Sequence, residues 1–323
     1  MADLFFSHFF LTALLVCAVV FVNGWTDAPN AVATCVASKA LSARRAINLA
    51  ALFNFLGLFS MMLLNNSVAR GIVASLPSGK GALSVLCSAM IAIVLFAVAA
   101  WYFGIPTSES HALVAALSGA SVAAEGKSGF SVSLWGSVIL GIVVTSGLGF
   151  LLGFTGKRIF SRRKKTEKNN LKKLQIVSSM LLSYIHGAQD GQKFSAVMLY
   201  ALSLSVPAAQ KHHTAVTLFC AFVLALGTAV GGMRIIKKVG TEITDVDALG
   251  GVCCDAAAFI SILVCTLLGM PVSTTHTKTT AVLGVGAADK NVRIKPFLEI
   301  LSVWLLTFPL CFLLGYLIML LAK

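Results

Sequence analysis

Two segments of this chain combine hydroxyl side chains with helix-starting sequence at matching places. Gly104-Ile-Pro-Thr-Ser-Glu-Ser-His111 and Gly269-Met-Pro-Val-Ser-Thr-Thr-His276 share a P-x-S-x-[ST]-H pattern and lie 165 residues apart. Pro106 and Pro271 each suit the first turn of a helix, where the missing N–H costs nothing. The residues after them are Thr107, Ser108 and Ser110 in one segment and Ser273, Thr274, Thr275, Thr277, Thr279 and Thr280 in the other. Hydroxyls add hydrogen-bond donors without adding charge. A helix N-terminus adds unpaired N–H groups and the positive end of its dipole. Two such ends facing each other form a cage for a tetrahedral oxyanion. The plainer reading is that these hydroxyls only cap helices at a kink, but the duplicated pattern is richer than a cap requires.

A second duplicated pair supplies carboxylates. Gly24-Trp-Thr-Asp-Ala-Pro-Asn30 and Gly187-Ala-Gln-Asp-Gly-Gln-Lys193 lie 163 residues apart and set Asp27 and Asp190 at equivalent positions. Asn23-Gly24 and His186-Gly187 read as helix breaks, with Pro29 as a restart. A carboxylate beside carbonyls freed by a break is a hard-oxygen site suited to a sodium ion or a proton. Glu109 and Asp255 are further acids in apolar surroundings, and Asp255 has no counterpart in the first half, where Met90 stands. His111 and His276 can bind substrate, relay protons or hydrogen-bond across helices. Lys193 and Lys278 lie within the motifs and can neutralise either the acids or an anion.

The elements that carry these residues are membrane helices. Of 323 residues 58% are hydrophobic and only 11% charged, against about 25% charged in soluble domains. Apolar runs long enough to cross a bilayer recur at Leu4–Phe21, Ile47–Leu64, Ala82–Phe103, Leu134–Phe154, Ala215–Val230, Val252–Leu268 and Phe297–Leu321. The first run has Asp3 and no basic start, so it is not a signal peptide. A charge at membrane depth costs at least about 2.5 kcal/mol, so the buried acids must face a cavity or a partner. The eight cysteines lie mostly in apolar runs without ligand spacing. No nucleotide-binding motif or metal-ligand cluster stands in the sequence.

Two repeats organise the chain. Residues 1–156 and 174–323 read as inverted halves joined by a basic linker, residues 157–173, which holds nine of the 25 Lys and Arg. Five crossings per half place 18 basic residues on the linker side and five on the other. The linker side is then cytoplasmic and both termini are external. The net charge of +13 is accounted for by this bias towards anionic lipid, not by nucleic acid. The expected fold is an all-α polytopic membrane protein of the cell membrane, with broken helices meeting at a central anion site.

At these four motifs the chain resembles the inorganic phosphate transporter family. NGWTDAPN and HGAQDGQK stand early in each half, and GIPTSESH and GMPVSTTH late in each half. The resemblance spans essentially the whole chain. It implies a secondary transporter, not an enzyme, commonly a homodimer, that moves phosphate with sodium ions or protons and needs no cofactor. It implies that Ser108, Ser110, Ser273, Thr274 and Thr275 hold the anion and that Asp27, Asn30 and Asp190 form the coupling-cation region. The departures are Trp25 and Thr26 in the first motif, Asn54 and Asp255 where a Glu is usual, and Glu109 within the anion motif. Losing a carboxylate at Asn54 while gaining Glu109 points towards protons over sodium. Sulfate permease on the same fold is the alternative, with an anion channel or a membrane-embedded enzyme further off.

Overall fold

The computed structural model describes residues 2–79, 81–162, 168–205 and 209–323. Among them every regular element is helical. Seven segments are long and apolar enough to cross a membrane, and they coincide with the seven apolar runs. They are carried by α1 (Ala2–Thr26), α3 (Ala43–Leu64), α5 (Ala82–Tyr102), α7 (Val132–Phe160), α9 (His213–Val230), α11 (Ala248–Leu267) and α13 (Ile294–Leu321). Their outer faces expose Leu95, Val143, Phe222 and Leu305, the surface that hydrocarbon accepts.

Three further helices are of another kind: α6 (Glu109–Glu125), α8 (Lys168–Ser205) and α12 (Thr274–Ala288). Helices α6 and α12 are buried on nearly every face, and α8 is buried continuously over residues 185–198. α6 packs between α13 and α5, α12 between α7 and α11, and α8 against α3 and α11. Polar helices survive at membrane depth only when protein covers them. The apolar helices form that cover, which is why the polar helices leave no long apolar run in the sequence.

The ends of α5 and α11 are built alike. Gly104 and Gly269 adopt φ of +69° and +72°, a conformation that side-chain-bearing residues avoid. The next amides close both helices, Ile105 N–H on Ala100 at 3.0 Å and Met270 N–H on Cys265 at 2.9 Å. This is a Schellman closure. Residues 105–107 and 270–272 then run without helix, and Ser108 and Ser273 begin α6 and α12 as N-caps. Pro106 and Pro271 therefore stand two residues outside their helices, not in the first turn. The hydroxyl three residues before a free N–H makes the cap, and that fixes the helix start.

The expected breaks at the glycines also differ. α1 runs through Gly24 to Thr26 and ends at Asp27, where residues Ala28–Val32 form a 3-10 turn leading into α2 (Ala33–Ala37). α8 passes through His186-Gly187 without interruption. Pro29 has no N–H and cannot continue the first helix, whereas Gly191 and Gln192 in the second half can. The two glycines serve close packing instead. A Cβ on Gly24 would lie 2.2 Å from the Leu224 carbonyl oxygen, and one on Gly187 would lie 2.2 Å from that of Asn54.

Helices also reach further into the basic linker than the repeat boundaries expect, because α7 ends at Phe160 and α8 begins at Lys168. Residues 163–167 of the linker, and Lys80 of the opposite basic set, lie outside the described residues. At the linker end of the bundle Lys157, itself buried, reaches Asp247 at 2.7 Å and Asp289 at 3.1 Å. Arg293 pairs there with Asp245 at 2.6 Å. Burial pushes the Asp247 carboxyl up, but its hydrogen bond and charge contact with Lys157 outweigh that and hold it below the ordinary carboxylate range. The short α4 (Ser67–Val73) and α10 (Met233–Lys237) come after α3 and α9.

Candidate functional site

The N-termini of α6 and α12 meet at the centre of the bundle, where the His111 and His276 rings lie 4.5 Å apart. Each helix start delivers hydroxyls beside the acids of the other motif pair. Thr274 donates to Asp190 at 3.1 Å and Ser110 donates to the same carboxylate at 3.3 Å. Thr275 donates to Asp27 and accepts from the Asn30 amide at 2.9 Å. The Asn30 amide also reaches Asp27 at 2.9 Å. Glu109 accepts from Thr26 at 2.5 Å, and its carboxyl is within hydrogen-bonding reach of Asp27. Ser108, Glu109, Ser110, Thr274, Thr275, Asp27, Asn30 and Asp190 are all buried, so the structure gathers the expected anion and cation residues into one cluster.

Two features separate the halves of this cluster. Lys193, fully buried, donates to Asp190 at 2.7 Å, to Ser110 at 2.5 Å and to the Val272 carbonyl at 2.6 Å. Asp190 thus carries its own ammonium partner. Asp27 has Asn30 at the equivalent place, and an amide cannot neutralise a carboxylate. Asp27 Oδ2, Asn30 Oδ1 and Glu109 Oε2 are buried without a hydrogen-bond partner among the described residues. Three unpaired oxygens, two of them from adjacent acids, call for a cation or a proton.

His186 joins the two sides. One ring nitrogen lies 3.3 Å from Asp190 and 4.0 Å from Asp27, and the other meets Asn54 at 3.2 Å. One ligand atom each from Asp27, His186 and Asp190 lie within 4.8 Å of one another. His186 is not among the residues that the motifs point to. Its signal is nevertheless present: it stands four residues before Asp190, so both share one face of α8. Thr26 reads in sequence as a mere departure from a motif, yet it holds Glu109.

Ser108 and Ser273 do cap their helices, accepting from His111 N–H at 3.4 Å and His276 N–H at 3.2 Å. A cap uses a lone pair and leaves the hydroxyl proton available for an anion. His111 and His276 contact neither acid. Their rings pack against Phe308 at 4.9 Å and Trp304 at 3.6 Å.

Lys278 and Asp255 sit apart from this centre. Lys278 bonds Asp255 and, at 2.8 Å, Thr34. Asp255 also accepts from Thr34 at 2.7 Å, Ser179 at 2.5 Å and Ser178 at 3.2 Å. In this conformation Lys278 neutralises an acid and not an anion at the cage.

Comparison with known proteins agrees with this geometry. The profile of the phosphate transporter family matches residues 23–174 and 157–315. A probable low-affinity inorganic phosphate transporter of Bacillus subtilis (strain 168) is 36% identical over 318 residues, covering 94% of this chain and 95% of that one. A protein of the same description from Rhizobium meliloti (strain 1021) is 33% identical over 302 residues, covering 90% and 89%. A solved structure described as the sodium-dependent phosphate transporter superposes with a TM-score of 0.82 at 20% identity, covering 98% of this chain and 99% of that one. None of these supports the sulfate reading, and all are transporters, not enzymes. With its seven apolar spans, the chain is a multi-pass plasma-membrane protein that belongs to the phosphate transporter family.

Proposed function

We propose that this protein is a secondary symporter that carries inorganic phosphate inward with a cation, through a single site shared by two inverted repeats. One observation carries the reading: the hydroxyls offered to the anion are the ones now spent on the acids. Ser110 and Thr274 donate to Asp190, and Thr275 donates to Asp27. A hydroxyl has one proton, so it serves the carboxylate or the phosphate, not both. A cation settling among Asp27 Oδ2, Asn30 Oδ1 and Glu109 Oε2 offsets the negative charge and releases Thr275 to the anion. Phosphate binding and cation binding then favour each other, which is what coupled transport requires. Phosphate alone would face repulsion from three acids, and an inside-negative potential opposes it by about 2.3 kcal/mol per charge per 100 mV.

The repeat reading is supported by the shared order of elements, since α5, its Schellman end, the capped α6 and α7 recur as α11, the same end, α12 and α13. The basic linker end would face the cytoplasm, and the homodimer is part of the same proposal. The coupling ion is a proton if Asp27 and Glu109 share it, or sodium if the unpaired oxygens coordinate it. The test is uptake of labelled phosphate and sulfate into proteoliposomes with proton and sodium gradients imposed separately. Phosphate accumulation that tracks one gradient is expected. Sulfate accumulation without phosphate, or phosphate flux indifferent to both gradients, overturns the reading.

A further inference from the structure

We infer that Asp255 is a second cation station, on a polar path between the central site and the linker end of the bundle, with the Lys278 ammonium as its displaceable resident. This rests on the symport reading above. The cluster of Lys278, Asp255, Thr34, Ser178 and Ser179 lies next in line after the centre. Lys278 is one turn along α12 from Thr275, and Thr34 is one turn beyond Asn30, where α2 begins. From there Ser38 meets Gln175 at 2.5 Å, and the Gln175 amide nitrogen is buried without a partner among the described residues. Ser38 ends α2 and opens the loop that leads to Arg44 and Arg45 at the linker end. Polar side chains thus continue from the buried acids to the loop.

The other side of the centre is sealed, and the repeat relation makes the contrast pointed. The residues equivalent to Asp255 and Lys278 at the 165-residue offset are Met90 and Leu113. Those equivalent to Thr34, Ser178 and Ser179 at the 163-residue offset are Val197, Leu15 and Val16. Val16, Met90, Leu113 and Val197 are buried together in one apolar cluster, with Leu15 packed on it. The same fold therefore fills the equivalent space with hydrocarbon, and packing does not demand an ion pair there. A buried ion pair is in general no more stabilising than a well-packed apolar replacement. Its retention on one side only is explained by use: a cation leaving the central acids towards the linker end needs a carboxylate to stop at, and an ammonium that withdraws as the cation arrives keeps the station neutral throughout. Among the described residues Lys278 is the charged group bonded to Asp255, and the titratable neighbours are the thiols Cys35, Cys253 and Cys254.

The test uses purified full-length protein. Lys278→Gln removes the resident and leaves Asp255 to take another cation. The thermal midpoint of this variant is expected to depend on sodium chloride against choline chloride, or on pH, more steeply than wild type does. Adding Asp255→Asn to it returns the wild-type dependence. A sodium response identifies a metal ion and a pH response a proton. A midpoint that tracks wild type under both titrations sinks the proposal. A second variant, Asp255→Met with Lys278→Leu, copies the first-half solution and is expected to fold. Its equilibrium phosphate binding stays within about threefold of wild type, while gradient-driven accumulation slows by about tenfold or more. Accumulation at the wild-type rate would show the pair to be packing alone. If wild type itself fails to accumulate phosphate, the symport reading fails, but the midpoint arm still decides whether Asp255 takes a cation.

Discussion

Ser273→Ala and Ser273→Gly separate two jobs performed by one hydroxyl. Ser273 Oγ accepts from His276 N–H at 3.2 Å and so caps α12. Alanine removes that cap at a cost of about 1 kcal/mol, whereas glycine at the same position costs only a few tenths. The hydroxyl proton is assigned to phosphate, and a hydrogen bond to a charged group contributes roughly 1.5–3 kcal/mol. That corresponds to about a ten- to 150-fold loss of affinity. Both variants are therefore expected to bind phosphate more weakly by that factor, while alanine alone lowers the thermal midpoint appreciably. Equilibrium binding of labelled phosphate to purified protein, read beside thermal denaturation of the same samples, measures both. Ser108 makes the same cap at α6 and carries the same expectation. An alanine variant with a lowered midpoint and wild-type affinity would refute the reasoning, because the hydroxyl would then be a cap and nothing more. Wild-type affinity in the glycine variant would say the same without any loss of stability to interpret.

Asp27→Asn and Asp190→Asn are each expected to abolish gradient-driven phosphate accumulation while the protein still reaches the membrane; uptake at the wild-type rate and extent in either removes that aspartate from the coupling site. Lys193→Met strands Asp190 as a buried charge without its ammonium, which costs about 3–5 kcal/mol; denaturation of the purified variant measures it, and the added Asp190→Asn change is expected to restore most of the loss. A cysteine at Ser161, beyond the end of α7, is expected to resist an impermeant label applied outside intact cells, and labelling from outside overturns the proposed orientation. The Lys157–Asp247 contact at the linker end contributes stability above about pH 4, the ordinary Asp range, because the folded Asp247 carboxyl is held lower than the unfolded one. That contribution is lost as the pH falls through the folded value, so Asp247→Asn is expected to flatten the acid limb of a stability-against-pH curve; an unchanged limb excludes the pair as its source.

The membrane class was legible because burying an apolar helix in lipid leaves a local, continuous mark. All seven apolar runs became membrane-crossing helices. The duplicated motifs were legible because the hydroxyls and acids stand at constant offsets, and the structure brings Asp27, Asn30, Asp190, Ser110, Thr274 and Thr275 into mutual contact. Helices α6, α8 and α12 were harder to see, since their cover comes from other parts of the chain. The glycines misled for a related reason. Gly187 looks like a break in isolation, but the carbonyl that requires it belongs to Asn54, 133 residues earlier in the chain.

Local chemistry could be settled from the order of residues alone. Pro29 ends a helix because it lacks an N–H, Gly104 and Gly269 accept a backbone that other residues resist, and Ser108 and Ser273 cap α6 and α12. Those outcomes depend on neighbours within a few positions. Partnership across the bundle is a property of the packed molecule. Nothing near Lys278 in the chain says that its ammonium rests on Asp255, or that Lys193 holds Asp190 while Asp27 keeps an unpaired oxygen. A buried charge is set by whichever opposite charge lies within a few ångströms, and packing of distant helices alone fixes that distance.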